Sequence, residues 1–312
     1  MSKIIKNVCV FGIGGVGGYF GGRIAHKIST ENLSGMEVYF IGRGEHLKAV
    51  QQKGLKLITD EEEYQCFPNI ATDNIRRIPT PDLYLLCVKG YDLNDTVSMI
   101  SKNISTHTTI LPLLNGVDID GRIRERLQKA IVTPAAVYVS SSIEKPGIIR
   151  QKGPEGHIVL GKDPEHLNHN YQPVIEFFQK IGIKASWYDN PYPAIWEKYI
   201  FISAFSLMTA YAKKTIGGVL GDQELKKMTE DIMNEVVLVG RANNVEIRDN
   251  IVEETIQKAQ NFPGETKTSF QRDYEKEKKK HEGDILGGTL IRLAKEYNID
   301  IPVTTKVYGE LT

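Results

Sequence analysis

The chain has 312 residues, and its 39 Lys and Arg residues balance 39 Asp and Glu residues, so its formal net charge is zero. This balance excludes the global basic excess that binds nucleic acid or an acidic membrane surface, and the length suggests about two domains. Three cysteines without a Cys-x-x-Cys or His-rich spacing predict neither a disulfide framework nor a metal site. The longest apolar run, 199–211, is too short and too broken by Ser and Thr to span a bilayer. We therefore expect a cytoplasmic protein with no membrane partner.

The first half of the chain alternates between strand and helix patterns. Short apolar runs predict buried strands at 8–11, 37–41, 83–88, 109–113 and 131–139. Apolar residues at helical spacing predict helices at 17–28 and 93–100. Strands that alternate with helices are typical of an α/β fold with a parallel sheet and helices on both of its faces.

Two predicted hairpins extend this sheet. The runs 55–58 and 64–67 flank the acidic turn 59–63, which indicates an inserted hairpin. The turn Pro146-Gly147 precedes a further strand at 148–151, and we expect that strand to pair with 157–160.

The pattern changes near Tyr188. The turn-rich segment Asp189-Asn190-Pro191-Tyr192-Pro193 interrupts it. The helices predicted beyond this segment are 194–213, 223–243, 251–261 and 284–297. We therefore predict a nucleotide-binding, Rossmann-like domain over 1–188 and a helical domain over 189–312.

A glycine-rich loop follows the first predicted strand. The segment Gly12-Ile13-Gly14-Gly15-Val16-Gly17 carries a Gly-x-Gly-x-x-Gly pattern and opens a predicted helix. In such a loop the first glycine permits a tight turn, the second lets the backbone approach a pyrophosphate, and the third lets helix and strand pack closely. The helix N-terminus then presents free N–H groups to the phosphates. This context indicates a dinucleotide site rather than an ordinary glycine-rich turn.

The residue after the second strand distinguishes the two nicotinamide cofactors. An NAD-binding loop places Asp or Glu there, where it bonds the ribose 2′-hydroxyl. This chain instead has Phe40-Ile41-Gly42-Arg43-Gly44. A guanidinium can bind a 2′-phosphate bidentately, whereas a carboxylate would repel it. After a dinucleotide pattern, Arg43 favours NADP over the alternative of an ordinary exposed arginine.

A lysine stands out in the first helix of the second half. The segment 195–202 is apolar apart from Glu197 and Lys198, and 199–211 contains no carboxylate or ammonium group. Lys198 either extends its head to solvent along the apolar surface or projects into a cleft. In a cleft, desolvation favours the neutral amine and makes the lysine a usable proton donor. The residues alone leave both readings open.

The chain resembles the ketopantoate reductase (2-dehydropantoate 2-reductase) family over essentially its whole length. The matching motifs, in order, are Gly12-x-Gly14-x-x-Gly17, Arg43, Val88-Lys89, Leu114-Asn115-Gly116, Pro146-Gly147, Trp196-x-Lys198, and Thr268-Ser269-Phe270-Gln271-x-Asp273 followed by Glu282. The resemblance implies an N-terminal Rossmann domain, a C-terminal all-helical domain and an active site in the cleft between them. It also implies reduction of the 2-keto group of ketopantoate with NADPH, in pantothenate biosynthesis.

The resemblance also implies a role for each matched residue. Lys198 corresponds to the catalytic lysine that polarises the keto oxygen and supplies its proton, which fits the charge that develops on that oxygen. Asn115 corresponds to the asparagine that contacts cofactor and substrate, and Lys89 to the lysine near the nicotinamide ribose. Ser269 corresponds to the serine that binds the substrate carboxylate. Glu282 corresponds to the active-site glutamate, reached across a charged run with one extra residue.

The sequence departs from the family pattern in the predicted substrate pocket. Where the family commonly has asparagines four and eight residues after the lysine, this chain has Ile202 and Ser206, roughly on the lysine's face of the helix. Ser206 keeps a shorter hydroxyl that can bind substrate, and Ala135-Ala136-Val137-Tyr138 replaces a Thr-rich segment. Because polar and apolar pockets select different ligands, another branched or aromatic 2-oxo acid remains an alternative substrate. A non-catalytic NADP-binding protein and a homodimer also remain open.

Overall fold

The computed structural model describes residues 4–128, 130–276 and 280–312. Backbone contacts divide the chain into two compact units. The first unit contains the chain up to Leu114 and the stretch Ile119–Pro191. The second unit contains the short segment Asn115–Asp118 and the stretch Tyr192–Thr312. The chain therefore contributes to the second unit twice.

The first unit contains the strands and five of the described helices. Its strands are β1 (Asn7–Phe11), β2 (Glu37–Ile41), β3 (Leu55–Ile58), β4 (Glu63–Cys66), β5 (Ile70–Thr72), β6 (Leu83–Leu86), β7 (Thr109–Pro112), β8 (Ile131–Val132), β9 (Ala135–Tyr138), β10 (Ser141–Lys145), β11 (Ile148–Gln151), β12 (His157–Gly161) and β13 (Lys184–Tyr188). Its helices are α1 (Gly15–Thr30), α2 (Gly44–Lys53), α3 (Leu93–Ile100), α4 (Ile119–Arg124) and α5 (Gln172–Ile181).

The main sheet is parallel, as the sequence predicts. Among the described residues its strand order is β5-β2-β1-β6-β7-β8, and every neighbouring pair is parallel. The central strand β1 is buried on both faces, with Val8, Cys9 and Val10 fully inaccessible. That burial explains its continuous apolar run. The carboxyl ends of β2, β1 and β6 consequently lie side by side at one edge of the sheet.

Two smaller sheets confirm one predicted hairpin and correct one predicted pairing. Strands β3 and β4 form the expected antiparallel hairpin. Strand β11 does not pair with β12: it pairs with β10 across the turn at Gly147, where φ is +79°, and with β3 on its other edge. Strand β12 pairs instead with β9 and with β13, a strand that the sequence analysis missed. The reason is that both edges of β11 are already occupied.

The predicted strand 131–139 is divided in the structure. β8 belongs to the main sheet and β9 to the sheet with β12, with Thr133 and Pro134 between them. Proline has no backbone N–H to donate to a sheet, so it ends the pairing with β7. The chain then changes sheets.

The second unit is helical, as predicted. Its described helices are α6 (Tyr192–Ala212), α7 (Ile216–Leu220), α8 (Gln223–Ala242), α9 (Ile251–Gln260), α10 (Ser269–Tyr274), α11 (Thr289–Glu296) and α12 (Pro302–Gly309). Helix α6 buries Trp196, Tyr199 and Phe205 on different sides, which is typical of a central helix. The predicted helix 284–297 begins instead as a π-helical segment, Asp284–Gly288, and continues as α11.

A buried carboxylate joins two of these helices. Glu235 on α8 accepts hydrogen bonds from the backbone N–H groups of Val303 and Thr304, both at 2.8 Å. These groups belong to the first turn of α12, where a helix has no internal acceptors. Glu235 therefore caps α12 from a neighbouring helix.

None of the described helices is both long and apolar enough to cross a membrane.

Candidate functional site

The glycine loop lies between β1 and α1 in the first unit. Gly12 has φ +93°, and a Cβ atom on it would lie 2.9 Å from the carbonyl oxygen of Cys87. Its N–H donates to the carbonyl of Ile41 at 2.8 Å. Only glycine fits this left-handed turn against a neighbouring backbone. The turn brings the chain from the buried strand directly to the N-terminus of α1.

The other glycines of the loop differ in what surrounds them. A Cβ atom on Gly17 would lie 1.9 Å from the carbonyl oxygen of Gly12, and one on Gly15 would lie 2.3 Å from that of Ser141, so both sites are closely packed. A Cβ atom on Gly14 would meet nothing within 4 Å. Gly14 therefore leaves an open space beside the first N–H groups of α1. A dinucleotide pyrophosphate fits such a space.

Ile13 and Val16 contribute to this loop through their backbone. The side chain of Ile13 is buried, and that of Val16 packs partly buried against the hydrophobic core. Their side chains hold the loop on the sheet. Their backbone N–H groups are the polar groups that they can offer a ligand.

Arg43 and Lys89 follow the ends of β2 and β6. Arg43 immediately precedes α2, its side chain is 79% exposed, and its Nη2 donates to Oδ2 of Asp92 at 2.6 Å. Lys89 immediately precedes a short 3₁₀ turn, Gly90–Asp92. Both cations thus lie at the carboxyl edge of the parallel sheet, which is where ligands bind in folds of this type.

A second group of predicted residues meets in the second unit. Nζ of Lys198, on α6, donates to Oδ1 of Asn115 at 2.9 Å. Asn115 begins the short segment that packs with the helices, and the following Gly116 has φ +122°. The lysine and asparagine are 83 residues apart in sequence. The fold therefore brings together two residues that the sequence analysis singled out separately.

The surroundings of Lys198 make its ammonium group acidic. Burial lowers the pKa of Lys198 from 10.5 to about 8, and the charge of Glu282 opposes this shift by raising the pKa. An amine with a pKa close to neutral pH is an effective general acid, since it is protonated yet gives up its proton readily. This arrangement can supply a proton to a neighbouring oxygen.

Glu282 is buried just before the π-helical segment. Only 6% of its surface is exposed, and its backbone carbonyl accepts hydrogen bonds from the N–H groups of Ile285 and Leu286. The hydroxyl of Tyr199 donates to the carbonyls of Ile285 and Leu286 at 2.8 and 3.0 Å, and that of Ser203 donates to Leu286 at 2.7 Å. Segments of π-helix are frequent at functional sites. Helix α6 thus anchors the segment that holds Glu282.

Tyr199 and Ser203 were not predicted as site residues from the sequence. Both hydroxyls lie on α6 four residues apart, which places them on one face of that helix. Two hydroxyl side chains at this spacing in an apolar helix were a usable signal. Their acceptors could not be predicted, because they are backbone carbonyls more than eighty residues away.

The two serines predicted to bind substrate, Ser206 and Ser269, lie on α6 and at the start of α10. Ser206 is buried on α6, eight residues or about 12 Å along the helix axis from Lys198. Ser269 is exposed at the start of α10. The hydroxyls of Thr209 on α6 and Thr268 beside Ser269 lie 2.9 Å apart and tie α10 to α6.

In the described part of the chain, no group of three or more His, Cys, Asp or Glu side chains is arranged to hold a metal ion.

Comparison with protein-family models assigns both parts of the chain to one family. Residues 8–165 match the model "Ketopantoate reductase PanE/ApbA", and residues 191–312 match its C-terminal counterpart, "Ketopantoate reductase PanE/ApbA C terminal". The chain belongs to the ketopantoate reductase family. It is therefore an oxidoreductase that uses a nicotinamide cofactor.

Individual relatives match most of the chain at low sequence identity. The chain is 24% identical to the uncharacterized oxidoreductase YkpB of Bacillus subtilis, over 97% of this chain and 96% of the relative. It is 26% identical to a 2-dehydropantoate 2-reductase of Mesorhizobium japonicum, over 86% of each chain. The solved 2-dehydropantoate 2-reductase of Porphyromonas gingivalis is 29% identical and superimposes with a TM-score of 0.82, covering 98% of this chain and 99% of that one.

Proposed function

We propose that this protein reduces the 2-keto group of ketopantoate to give pantoate, with NADPH as the reductant, in pantothenate biosynthesis. The observation that carries the proposal is the Lys198 ammonium, bonded to Asn115 at 2.9 Å and with a pKa lowered to about 8. A protein that only binds a nucleotide needs no acidic ammonium of this kind. An enzyme that turns a ketone into an alcohol needs one proton donor.

The chemistry divides between the two residue groups. A reduced nicotinamide, when bound at the first unit's glycine loop, would supply the hydride, with its electron pair, that the keto carbon accepts. The C=O π electrons then move to the oxygen, and the Lys198 Nζ–H bond breaks as its proton forms the new O–H bond. The ammonium also stabilises the negative charge that develops on that oxygen before the proton moves. Solvent restores the proton on Lys198, and the product is a 2-hydroxy acid.

Asn115 and Glu282 prepare Lys198 for this step. The Asn115 carbonyl oxygen accepts one N–H of the ammonium and thereby fixes the direction of the others. The charge of Glu282 raises the pKa of Lys198 against the effect of burial, so the ammonium stays largely protonated at neutral pH. Both roles keep a proton on Nζ and hold it in place.

The residues of the first unit bind the cofactor in this proposal. The N–H groups at Gly14–Gly17 and the open space at Gly14 accept the pyrophosphate. The exposed guanidinium of Arg43 binds the 2′-phosphate that distinguishes NADPH from NADH. Lys89 contributes its charge near the nicotinamide ribose, as the family resemblance implies.

The substrate carboxylate is assigned to Ser269, at the start of α10. Ile202 supports one alternative within the same chemistry. It is partly buried on α6, one helical turn beyond Lys198, where the family commonly has an asparagine. An apolar side chain there favours a more apolar 2-oxo acid, either branched or aromatic.

The proposal is tested by steady-state oxidation of NADPH with ketopantoate, a branched-chain 2-oxo acid and phenylglyoxylate, followed by the loss of NADPH absorbance. The highest kcat/KM is expected with ketopantoate, with pantoate identified by chromatography. A higher kcat/KM with either of the other acids would favour the alternative substrate. No NADPH oxidation with any 2-oxo acid would contradict the enzyme mechanism. Ile202→Asn is expected to raise the kcat/KM for ketopantoate relative to phenylglyoxylate.

A further inference from the structure

Arg43 and Asp92 form an ion pair across the centre of the parallel sheet. Arg43 follows β2, and Asp92 follows β6, whereas β1 lies between these two strands. Neighbouring strands are about 4.8 Å apart, so the ion pair joins the segments that follow two strands about 10 Å apart. The pair therefore passes the end of β1, where the glycine loop begins. Its position is beside the predicted dinucleotide site.

The two partners differ in how firmly they are held. The Asp92 side chain is 17% exposed, and the backbone N–H of Asp92 donates to the Lys89 carbonyl at 2.9 Å in the 3₁₀ turn. The Arg43 side chain is 79% exposed. Arginine has several rotatable bonds, and most of this side chain is in contact with solvent. The guanidinium is consequently the mobile partner, and the carboxylate stays in place when the pair opens.

We propose that Asp92 is a specificity-determining residue that lowers the preference for NADPH, because it competes with the cofactor's 2′-phosphate for the guanidinium of Arg43. The inference rests on the proposed role of Arg43 in binding that phosphate. A 2′-phosphate must draw Arg43 away from Asp92, and it then lies near a carboxylate that repels it. NADH carries no phosphate at this position and needs no such exchange.

The expected effect is moderate, because the ion pair is open to solvent on the arginine side. Exposed pairs of this kind change equilibria by a factor of about two to five. Repulsion between Asp92 and a phosphate with nearly two negative charges adds to that factor. Asp92→Asn should therefore tighten NADPH binding about three- to tenfold and change NADH binding less than about twofold. Raising the salt concentration should reduce the gain, because salt screens exposed charges.

The experiment measures dissociation constants of NADPH and NADH by titration calorimetry for the wild-type protein and for Asp92→Asn, Arg43→Ala and the double variant. Asp95→Asn is the matched control, because it removes a carboxylate from the exposed first turn of α3, three residues away. Asp92→Asn keeps the shape of the side chain, and Asp92 makes no side-chain cap to α3. The variant is therefore expected to fold normally.

The proposal predicts tighter NADPH binding in Asp92→Asn, no change in Asp95→Asn, and a smaller Asp92→Asn gain when Arg43 is replaced, because only the repulsion between Asp92 and the phosphate then remains. An unchanged NADPH dissociation constant, equal tightening of both cofactors, or a gain that persists in full in the double variant would overturn it. Equal weakening of both cofactors by Arg43→Ala would instead refute the proposed role of Arg43 itself. The two failures are thus separate results of one set of titrations.

Discussion

The pH dependence of turnover is a direct consequence of the environment of Lys198. In the proposed mechanism Lys198 donates a proton during reduction, so kcat/KM should follow the protonated fraction of an amine with a pKa of about 8. That fraction falls from about nine-tenths at pH 7 to about one-tenth at pH 9, and each further pH unit should cost about tenfold. The kcat/KM for reduction therefore falls as the pH rises. The kcat/KM for the reverse oxidation, in which Lys198 would accept a proton, should instead rise with pH.

Glu282 sets the pH at which kcat/KM begins to fall, which is the falling limb of the pH profile. Its negative charge raises the pKa of Lys198, so Glu282→Gln should move the falling limb to lower pH. The matched control is Glu275→Gln, which removes an exposed carboxylate that pairs with Lys267. The measurement is kcat/KM for 2-oxo acid reduction at saturating NADPH across the neutral and alkaline range. A flat profile between pH 7 and 9, or a limb that moves to higher pH in Glu282→Gln, would refute the reasoning.

Three further variants test the loop, the anchored segment and the helix cap. Gly14→Val should fold normally, since a Cβ there meets nothing within 4 Å. It should weaken NADPH binding in titrations by a factor on the order of ten or more, and unchanged binding would exclude a role for the loop in holding the cofactor. Tyr199→Phe removes the hydroxyl donor of the Ile285 carbonyl, whereas the Leu286 carbonyl keeps its bond from Ser203. It should lower the free energy of unfolding by about 1–3 kcal/mol and shift the alkaline limb downward, whereas an unshifted limb limits Tyr199 to stability. Glu235→Ala should cost about 1–3 kcal/mol in denaturant unfolding, because α12 loses two capping bonds, and an unchanged midpoint would contradict the capping role.

The sequence predicted those features that depend on local pattern. Strand β1, the glycine loop and the start of α1 follow one another within a few residues, so apolar runs and glycine spacing were enough. The partners of β11 depend on which strand edges are free, which is a property of the whole first unit. The same holds for β8 and β9, although Pro134 marks the break between them.

The candidate site was predicted as separate residues rather than as an arrangement. The position of Lys198 in an apolar helix left two readings, and its hydrogen bond to Asn115 joins residues 83 positions apart. The π-helical segment after Glu282 depends on hydroxyl groups of α6, so its residues alone read as an ordinary helix. The ion pair between Arg43 and Asp92 likewise depends on strand order.

Lys198 is the proposed proton donor in ketopantoate reduction. The measurement that tests it most directly is kcat for ketopantoate, together with the NADPH dissociation constant, in Lys198→Ala and Lys198→Arg. We expect Lys198→Ala to lower kcat by a factor on the order of 10² or more and to leave NADPH affinity nearly unchanged. Lys198→Arg should restore little activity, since a guanidinium keeps its proton and is larger. Near-normal turnover of ketopantoate by Lys198→Ala would contradict the account.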